Sequence, residues 1–478
     1  METFKSQGTT PSEKLLSAIC EETFLSLWSY PNLYRDQGRT TATADGKELC
    51  DLLVAFGNHI LIFSDKSCAM GDSGELGLDW SRWFRKSVIA SAEQIYGAER
   101  WLRKHPGKVF LDRACTVPLP LSIPLLEECR IHRIVIATGA RERCAREFET
   151  SGSLALDPAI VGQKHVAEFD RNGRMIETGD FRPFVVGQVN PAKGFVHVLD
   201  EQSLALVMRE LDTARDLIAY LSAKEKLIAS GKLAYAASEE EVLYEYLRNF
   251  HFIHGHHFDT SANSPLVLNS DGWRKWEDSS ERRREQEQNA VSRRVWDRLI
   301  NDFTSNVLRG RTLKGSTADI SEVERALRLM ASESRLTRRN ISRAFVERMD
   351  ESSQSLRSWR MLFSSANPWT GYVFLFYRHE DGIDFEDYRE DRKAWLTALS
   401  LYYGSENPHL KQIVGIATEA GVEVPTRTFE LAVAQLKSGV SWRDIMDLEA
   451  LERLKIALGV RDEDINASAF VGVRHLPC

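Results

Sequence analysis

A group of acids and a lysine near the N-terminus has the residue types that metal-assisted phosphodiester hydrolysis requires. Glu48 and Asp51 open one short apolar run, and the next apolar run ends in the triplet Ser64-Asp65-Lys66. Carboxylates are ligands that hard divalent cations such as Mg²⁺ or Mn²⁺ prefer, and such a cation polarises a phosphate and activates water. A neighbouring lysine stabilises the negative charge of the transition state. The pattern therefore predicts a hydrolytic metal site.

A β-hairpin would bring the two halves of this pattern together. The apolar runs 52–56 and 60–63 flank Gly57-Asn58-His59, a connection typical of a tight hairpin turn. Two strands of similar length place Asp51 and Lys66 at the same open end of the hairpin. We therefore expect these two side chains to lie close together in space.

Helices on either side of the hairpin would complete the domain. Apolar residues recur at helical spacing over 12–28, and a longer amphipathic pattern covers 79–104 before Pro106-Gly107 ends it. A carboxylate from a preceding helix commonly completes a metal site of this kind, and we predict that Glu22 on the first helix does so. A further strand is predicted over 131–137, so the order of elements indicates a mixed α/β domain.

This arrangement resembles the PD-(D/E)xK nuclease superfamily, in particular its Mrr-like and NERD-like branches. The matching features are Glu22 on a helix, Asp51 opening a hairpin, the Ser64-Asp65-Lys66 triplet, and Gln94 on the following helix, all within residues 10–140. The resemblance implies a restriction-endonuclease-like mixed sheet flanked by helices that cuts DNA or RNA with Mg²⁺ or Mn²⁺. It implies that Glu22 and Asp51 hold the metal, that Lys66 positions the attacking water, and that Gln94 orients water or phosphate.

Ser64 departs from this pattern, because the superfamily has an acid at the first position of the triplet. A serine hydroxyl is a poor Mg²⁺ ligand beside a carboxylate. Three interpretations follow. Asp65 supplies the missing carboxylate at the end of the strand, or Glu48 enters the site instead, or the domain is catalytically weak or inactive.

Two other features have alternative explanations. His251, His254, His256, His257 and Asp259 form a cluster that has the ligands of a transition-metal site or is a polar loop. The segment 281–345 carries more Lys and Arg than Asp and Glu, and it either tracks phosphates or is a solvated helix face. The basic region singled out within it comprises Arg282, Arg283, Arg284, Arg293, Arg294, Arg298, Arg309, Arg311 and Lys314.

The composition is that of an ordinary globular protein, with 43% hydrophobic and 27% charged residues among 478. The formal net charge of −7 predicts that any contact with nucleic acid is a local basic patch and not a property of the whole surface. Seven cysteines without a CxxC pair, and a polar N-terminus without an apolar segment, favour reduced thiols, a cytoplasmic location and no membrane contact.

The sequence divides into three predicted parts. They are a nuclease-like domain over 1–225, a mostly helical, locally basic segment over 226–360, and a small C-terminal α/β domain over 361–478. The last part has a strand at 372–376, a helix at 385–403 and a strand at 412–417, the order of a βαβ crossover.

The predicted function is metal-dependent cleavage of nucleic acid, with DNA favoured over RNA, in defence against foreign nucleic acid. The alternative is a catalytically inactive, nuclease-derived module that binds nucleic acid or a partner protein of a defence system. The step from family to biological role rests on analogy. The sequence leaves a homo-oligomer and a partner protein equally open.

Overall fold

The computed structural model divides the chain into two compact units. One comprises Met1–Glu287 with Leu308–Gly310, and the other comprises Gln288–Val307 with Arg311–Cys478. The structure describes residues 5–37, 45–170, 175–176, 181–251, 255–279, 282, 294–308, 320–364, 367–421, 427–445 and 448–458. No helix in these ranges combines the length and the apolar character that crossing a bilayer requires.

The first unit is mixed α/β, as predicted. Its helices are α1 (Pro11–Trp28), α2 (Leu76–Phe84), α3 (Ala90–Lys104), α4 (Arg141–Phe148), α5 (Glu201–Glu210), α6 (Ala214–Ala229), α7 (Glu239–Arg248) and α8 (Gly272–Glu277). Its strands are β1 (Ser29–Arg35), β2 (Lys47–Phe56), β3 (His59–Ser67), β4 (Arg130–Thr138), β5 (Ala155–Val161), β6 (Glu168–Phe169), β7 (Met175–Ile176), β8 (Val185–Gln188), β9 (His197–Leu199), β10 (Leu233–Ala236), β11 (Phe250–His251), β12 (Gly255–His256) and β13 (Leu266–Leu268).

A five-stranded mixed sheet in the order β1-β2-β3-β4-β9 forms the centre of this unit. Strands β1, β2 and β3 are antiparallel, whereas β4 runs parallel to β3 and β9 parallel to β4. The predicted hairpin is confirmed: Phe56 pairs with His59 across a turn at Gly57, whose φ of 60° suits a residue without a side chain.

Helices cover both faces of this sheet. On one face lies a long helix made of α2, a π-helical turn at Arg85–Ile89 and α3. Its apolar side, which includes Trp80 and Ile95, belongs to the same hydrophobic core as Ile60 of β3. On the other face, α1 packs against β1 and β2, and Trp28 meets Phe56 edge-on with ring centroids 5.2 Å apart. The apolar character of both faces of β2 and β3 follows from this double burial.

A second, four-stranded sheet in the order β13-β10-β5-β8 extends the first unit beyond the predicted boundary at residue 225. Strand β10 pairs antiparallel with β5 and parallel with β13. Residues 226–287 therefore belong with the N-terminal part of the chain, because their strands complete a sheet that begins before residue 225. Helices α5 and α6 are separate because the Thr213 side chain caps the start of α6.

The second unit is also α/β. Its helices are α9 (Arg294–Leu308), α10 (Ile320–Ala331), α11 (Arg335–Glu351), α12 (Phe385–Glu406), α13 (Trp442–Ile445) and α14 (Leu448–Leu458). Its strands are β14 (Arg357–Phe363), β15 (Thr370–Tyr377), β16 (Gln412–Glu419) and β17 (Phe429–Gln435), and they form one sheet in that order. Strands β15 and β16 are parallel and joined through α12, which confirms the predicted βαβ crossover.

Alternate residues of β15 contribute to two cores. Leu375 belongs to a core with Leu399 of α12, while Phe374, on the opposite face, contacts Trp296 of α9 and Phe345 of α11. Because β15 is buried on both faces, successive residues along it are apolar, which explains the continuous apolar run in the sequence.

An ion network is buried between α12 and the edge of this sheet. Arg392 is fully buried, and its Nη1 lies 3.0 Å from Glu419 Oε1. The same guanidinium forms an ion pair with Glu430, which Arg389 also contacts at 2.8 Å. Buried charges are tolerated only when they are paired in this way.

We expect Arg392→Met to lower the free energy of unfolding of the second unit by about 3–5 kcal/mol, because it leaves buried carboxylates under-compensated. The matched control is Arg453→Met, whose partner Glu449 lies on the same exposed helix face; its loss should stay below about 0.5 kcal/mol. Chemical denaturation followed by fluorescence and circular dichroism measures both values. Equal losses in the two variants would contradict a structural role for the buried network.

Candidate functional site

The predicted acid and lysine lie where the pairing of β2 with β3 ends. Continuing the hairpin register by one position places Asp51 opposite Ser64, so both side chains share a face of the sheet with Lys66. The backbone N–H of Asp65 donates to Asp51 Oδ2 at 2.5 Å. The structure thus brings Asp51 and the triplet together.

Gln94 of α3 joins this cluster from the helix that covers the same face. Its Nε2 donates to Asp51 Oδ1 at 3.3 Å, and the Ser64 hydroxyl donates to Gln94 Oε1 at 3.2 Å. The side chain predicted to orient water or phosphate therefore holds the carboxylate of Asp51. Ser64, in place of an acid, links the two.

The carboxyl groups of the cluster are desolvated and repel one another. Burial raises the pKa of Asp51 despite the N–H of Asp65 and the positive charge of Lys66, which both lower it. Burial and the neighbouring Asp51 likewise raise the pKa of Asp65, and partial desolvation with the Asp51 charge raises the pKa of Glu48. A bound cation would relieve this repulsion.

The Asp65 carboxylate is buried at the end of the same strand, β3. Its side chain is 8% exposed, and its Oδ1 is buried without a hydrogen-bond partner among the described residues. An unsatisfied buried acceptor costs free energy unless something binds it. Strand alternation places this side chain on the face opposite Asp51, Ser64 and Lys66, where Ser12 of α1 forms a hydrogen bond with it. The interpretation in which Asp65 supplies the missing carboxylate therefore does not match its position.

The helix acid at the cluster is Glu13 and not Glu22. Glu13 Oε2 accepts from Asn32 Nδ2 at 3.0 Å, and the same nitrogen lies 3.5 Å from Glu48 Oε1. The Glu13 charge also contributes to raising the pKa of Asp51. Glu22 is exposed, and nine residues at about 100° each put it roughly half a turn from Glu13 on α1. The prediction for Glu22 therefore does not match its position.

A second group of polar side chains lies on the other face of the same sheet. His132, His197 and Glu225 are the one set of three or more His, Cys, Asp or Glu in the described chain whose ligand atoms all lie within 4.8 Å of one another. Glu225 Oε1 is 2.8 Å from His132 Nδ1 and 3.0 Å from His197 Nε2. These three residues have the geometry to hold a metal ion.

The pKa values of Glu225 and of two neighbouring imidazoles, His197 and His59, are all lowered. Burial opposes ionisation of Glu225, but the hydrogen bonds from His132 and His197 outweigh it and lower the pKa of Glu225 to about 2. Burial lowers the pKa of His197. Burial and the neighbouring His132 lower the pKa of His59, whose Nδ1 is 3.0 Å from His132 Nε2, to about 4.

The sequence prediction missed this group because its members are far apart in the chain. No local spacing connects His132 on β4, His197 on β9 and Glu225 on α6. The available signal was a histidine inside each of two apolar strand runs, Arg130–Thr138 and His197–Leu199, where a polar ring must find a partner.

The structure gives less support to the two other predicted features, the histidine cluster and the basic region. His251 and His256 lie on the short hairpin β11–β12, where His256 packs against the rings of Tyr246 and Phe250; His254 is outside the described residues. In the basic segment, Arg282 is buried in an ion pair with Glu210. Arg298 is exposed on α9. The rest of that basic set, apart from Arg294 at the start of α9, lies outside the described residues: Arg283, Arg284, Arg293, Arg309, Arg311 and Lys314.

The chain matches no protein-family model, no curated protein and no solved structure.

We expect Asp51→Asn to be more stable than the native protein at about pH 8 without divalent cations. Because the folded-state pKa of Asp51 is raised, its ionisation costs folding free energy at any pH above that pKa. The cost vanishes below the ordinary pKa, where folded and unfolded chains are both protonated. The gain in melting temperature should be a few degrees and shrink towards about pH 4.

Glu22→Gln is the control for this comparison, since its exposed side chain predicts no change in melting temperature at either pH. Thermal unfolding followed by circular dichroism provides the measurement. A variant Asp51→Asn that is less stable than the native protein at about pH 8 would show that the carboxylate is a satisfied structural group.

Proposed function

We propose that the first unit is a divalent-metal-dependent nuclease whose site is the cluster at the ends of β2 and β3. The observation that carries this proposal is that Asp51, Ser64 and Lys66 share one face at the hairpin end, where the backbone N–H of Asp65 and Gln94 Nε2 both donate to the Asp51 carboxylate. Asp51 and Lys66 meet at a hairpin end, with Gln94 coming from the next helix, and this order supports the resemblance to the PD-(D/E)xK nucleases.

The residues present fit Mg²⁺ or Mn²⁺. Mg²⁺ is usually bound by one or two carboxylates, with waters and substrate phosphates completing its shell, and Asp51 is such a carboxylate here. Each Asp51 oxygen accepts one hydrogen bond from the protein and keeps a further lone pair. Glu48, whose pKa the neighbouring Asp51 charge helps to raise, is the second acid. The bound ion would polarise the phosphate and lower the pKa of water.

The protein's own side chains contribute positioning and charge. Lys66 is half-buried and forms no ion pair within the described residues, so its ammonium group is available to a phosphate. A fixed positive charge in a partly desolvated site stabilises the charge that develops on the phosphate. Gln94 and Ser64 fix the orientation of the Asp51 carboxylate through their hydrogen bonds.

The proposed substrate is DNA, with RNA as the less favoured polymer, and the proposed role is defence against foreign nucleic acid. Because the net charge is −7, contact with nucleic acid must be made by a local basic patch. We propose that the exposed Arg298 and the basic stretch around it make a second contact with the nucleic acid. We place this activity in the cytoplasm, in keeping with the six described cysteines, all of which are free thiols.

A specific observation favours a second candidate, a catalytically inactive module that binds nucleic acid or a partner protein. Ser64 stands where an acid would be required, and its hydroxyl donates to Gln94, which in turn donates to Asp51. This network satisfies Asp51 without a metal.

We expect the purified full chain to cleave plasmid or linear DNA in Mg²⁺ or Mn²⁺ and to lose cleavage in EDTA. Lys66→Ala and Asp51→Asn should each lower the rate by about 10²-fold or more, because each removes a group directed at the reacting phosphate or its metal ion. Gel-based cleavage of plasmid, linear DNA and single-stranded RNA gives the rates.

Glu22→Gln serves as the matched control and should cut like the native protein. Ser64→Asp restores an acid at the first position of the triplet and should raise the rate if its circular dichroism remains native. A different outcome would contradict the nuclease proposal: the native protein, Lys66→Ala and Ser64→Asp all bind DNA, and none of them cleaves it. That result would favour the catalytically inactive binding module.

A further inference from the structure

The His132, His197 and Glu225 group is separate from the proposed nuclease site. His132 pairs in register with Leu61 of β3, whose side chain faces away from Ser64 and Lys66. His197 pairs with Ile134, two residues after His132, so the two imidazoles are diagonal neighbours on one face of the parallel pair β4–β9. Glu225 reaches this face from α6.

The three donor atoms converge closely. Glu225 Oε1 lies 2.8 Å from one imidazole nitrogen and 3.0 Å from the other. A tetrahedral ion with bonds of about 2.0–2.1 Å to nitrogen and oxygen spaces its ligands roughly 3.3 Å apart. Small side-chain movements would therefore suffice to admit an ion.

His59 gives His132 the orientation that a ligand needs. His59 Nδ1 is 3.0 Å from His132 Nε2, and the two rings stack with centroids 5.3 Å apart and an interplanar angle of 7°. With an ion in place of the Nδ1–H that faces Glu225, His132 would donate its Nε2–H to His59. A metal-binding histidine almost always has such a partner on its other nitrogen.

We propose that His132, His197 and Glu225 form a binding site for a divalent transition metal of the Zn²⁺ class. Two imidazole nitrogens and one carboxylate oxygen are a ligand set that such metals take, whereas Mg²⁺ prefers oxygen ligands throughout. Both histidine side chains are fully buried, but the Glu225 side chain is 28% exposed and provides the route by which an ion enters. The bound ion would link α6 to strands β4 and β9.

The test uses untagged, full-length protein stripped of metal by a chelator and then titrated with Co²⁺ or Zn²⁺ alone. We expect one equivalent to bind, with a visible Co²⁺ absorption band of a low-coordinate site and an increase in melting temperature. Glu225→Gln and His197→Gln should abolish the band. His59→Gln should weaken binding by about 10–100-fold.

Two controls separate this site from other sources of metal binding. His409→Gln changes an exposed histidine of the second unit and should bind like the native protein. Asp51→Asn removes an acid of the proposed nuclease site and should keep the Co²⁺ band whether or not the chain cleaves DNA. Glu225→Gln retains an oxygen that accepts hydrogen bonds, and native circular dichroism shows that it folds.

Absence of the Co²⁺ band in the native protein, or its persistence in both Glu225→Gln and His197→Gln, would overturn the proposal. In the first case the group is a buried hydrogen-bond network that attaches α6 to the sheet. In the second case the metal binds elsewhere in the chain.

Discussion

Burial of the five-stranded sheet on both faces is the constraint on which the rest of the first unit depends. Helices cover both sides of β2 and β3, so each polar side chain on these strands must find a partner or leave an unsatisfied group that costs about 1–3 kcal/mol. Strand alternation then sorts the polar residues. Asp51 and Ser64 meet Gln94 beneath α3, and His132 and His197 meet Glu225 beneath α6.

The two polar groups are in opposite electrostatic states. Glu225 receives two imidazole donors, which is why its pKa is lowered to about 2 although it is partly buried. The pKa values of Asp51 and Asp65 are raised because burial and neighbouring carboxylates have a larger effect on them than Lys66 and the hydrogen bonds, which lower them. Groups held in such an unfavourable state are found where proteins bind ions or substrates more often than where they only need to fold.

The second unit handles internal charge differently. Arg392 is enclosed by Glu419 and Glu430, with Arg389 and Thr428 completing the contacts, so positive and negative groups balance within one network. A closed network of this kind needs no further ion. Its βαβ crossover and its two-sided core give the unit a hydrophobic centre of its own.

The sequence by itself determined the local elements and one half of the candidate site. The apolar runs around Gly57, the crossover through α12 and the meeting of Asp51 with Lys66 all follow from strand periodicity and turn chemistry, which act over a few residues. Only the tertiary structure decided that Glu13, half a turn from Glu22, is the acid of α1 that approaches Asp51. It also decided that His132, His197 and Glu225 meet, because parallel strands and a distant helix join residues whose separation in the chain carries no local pattern.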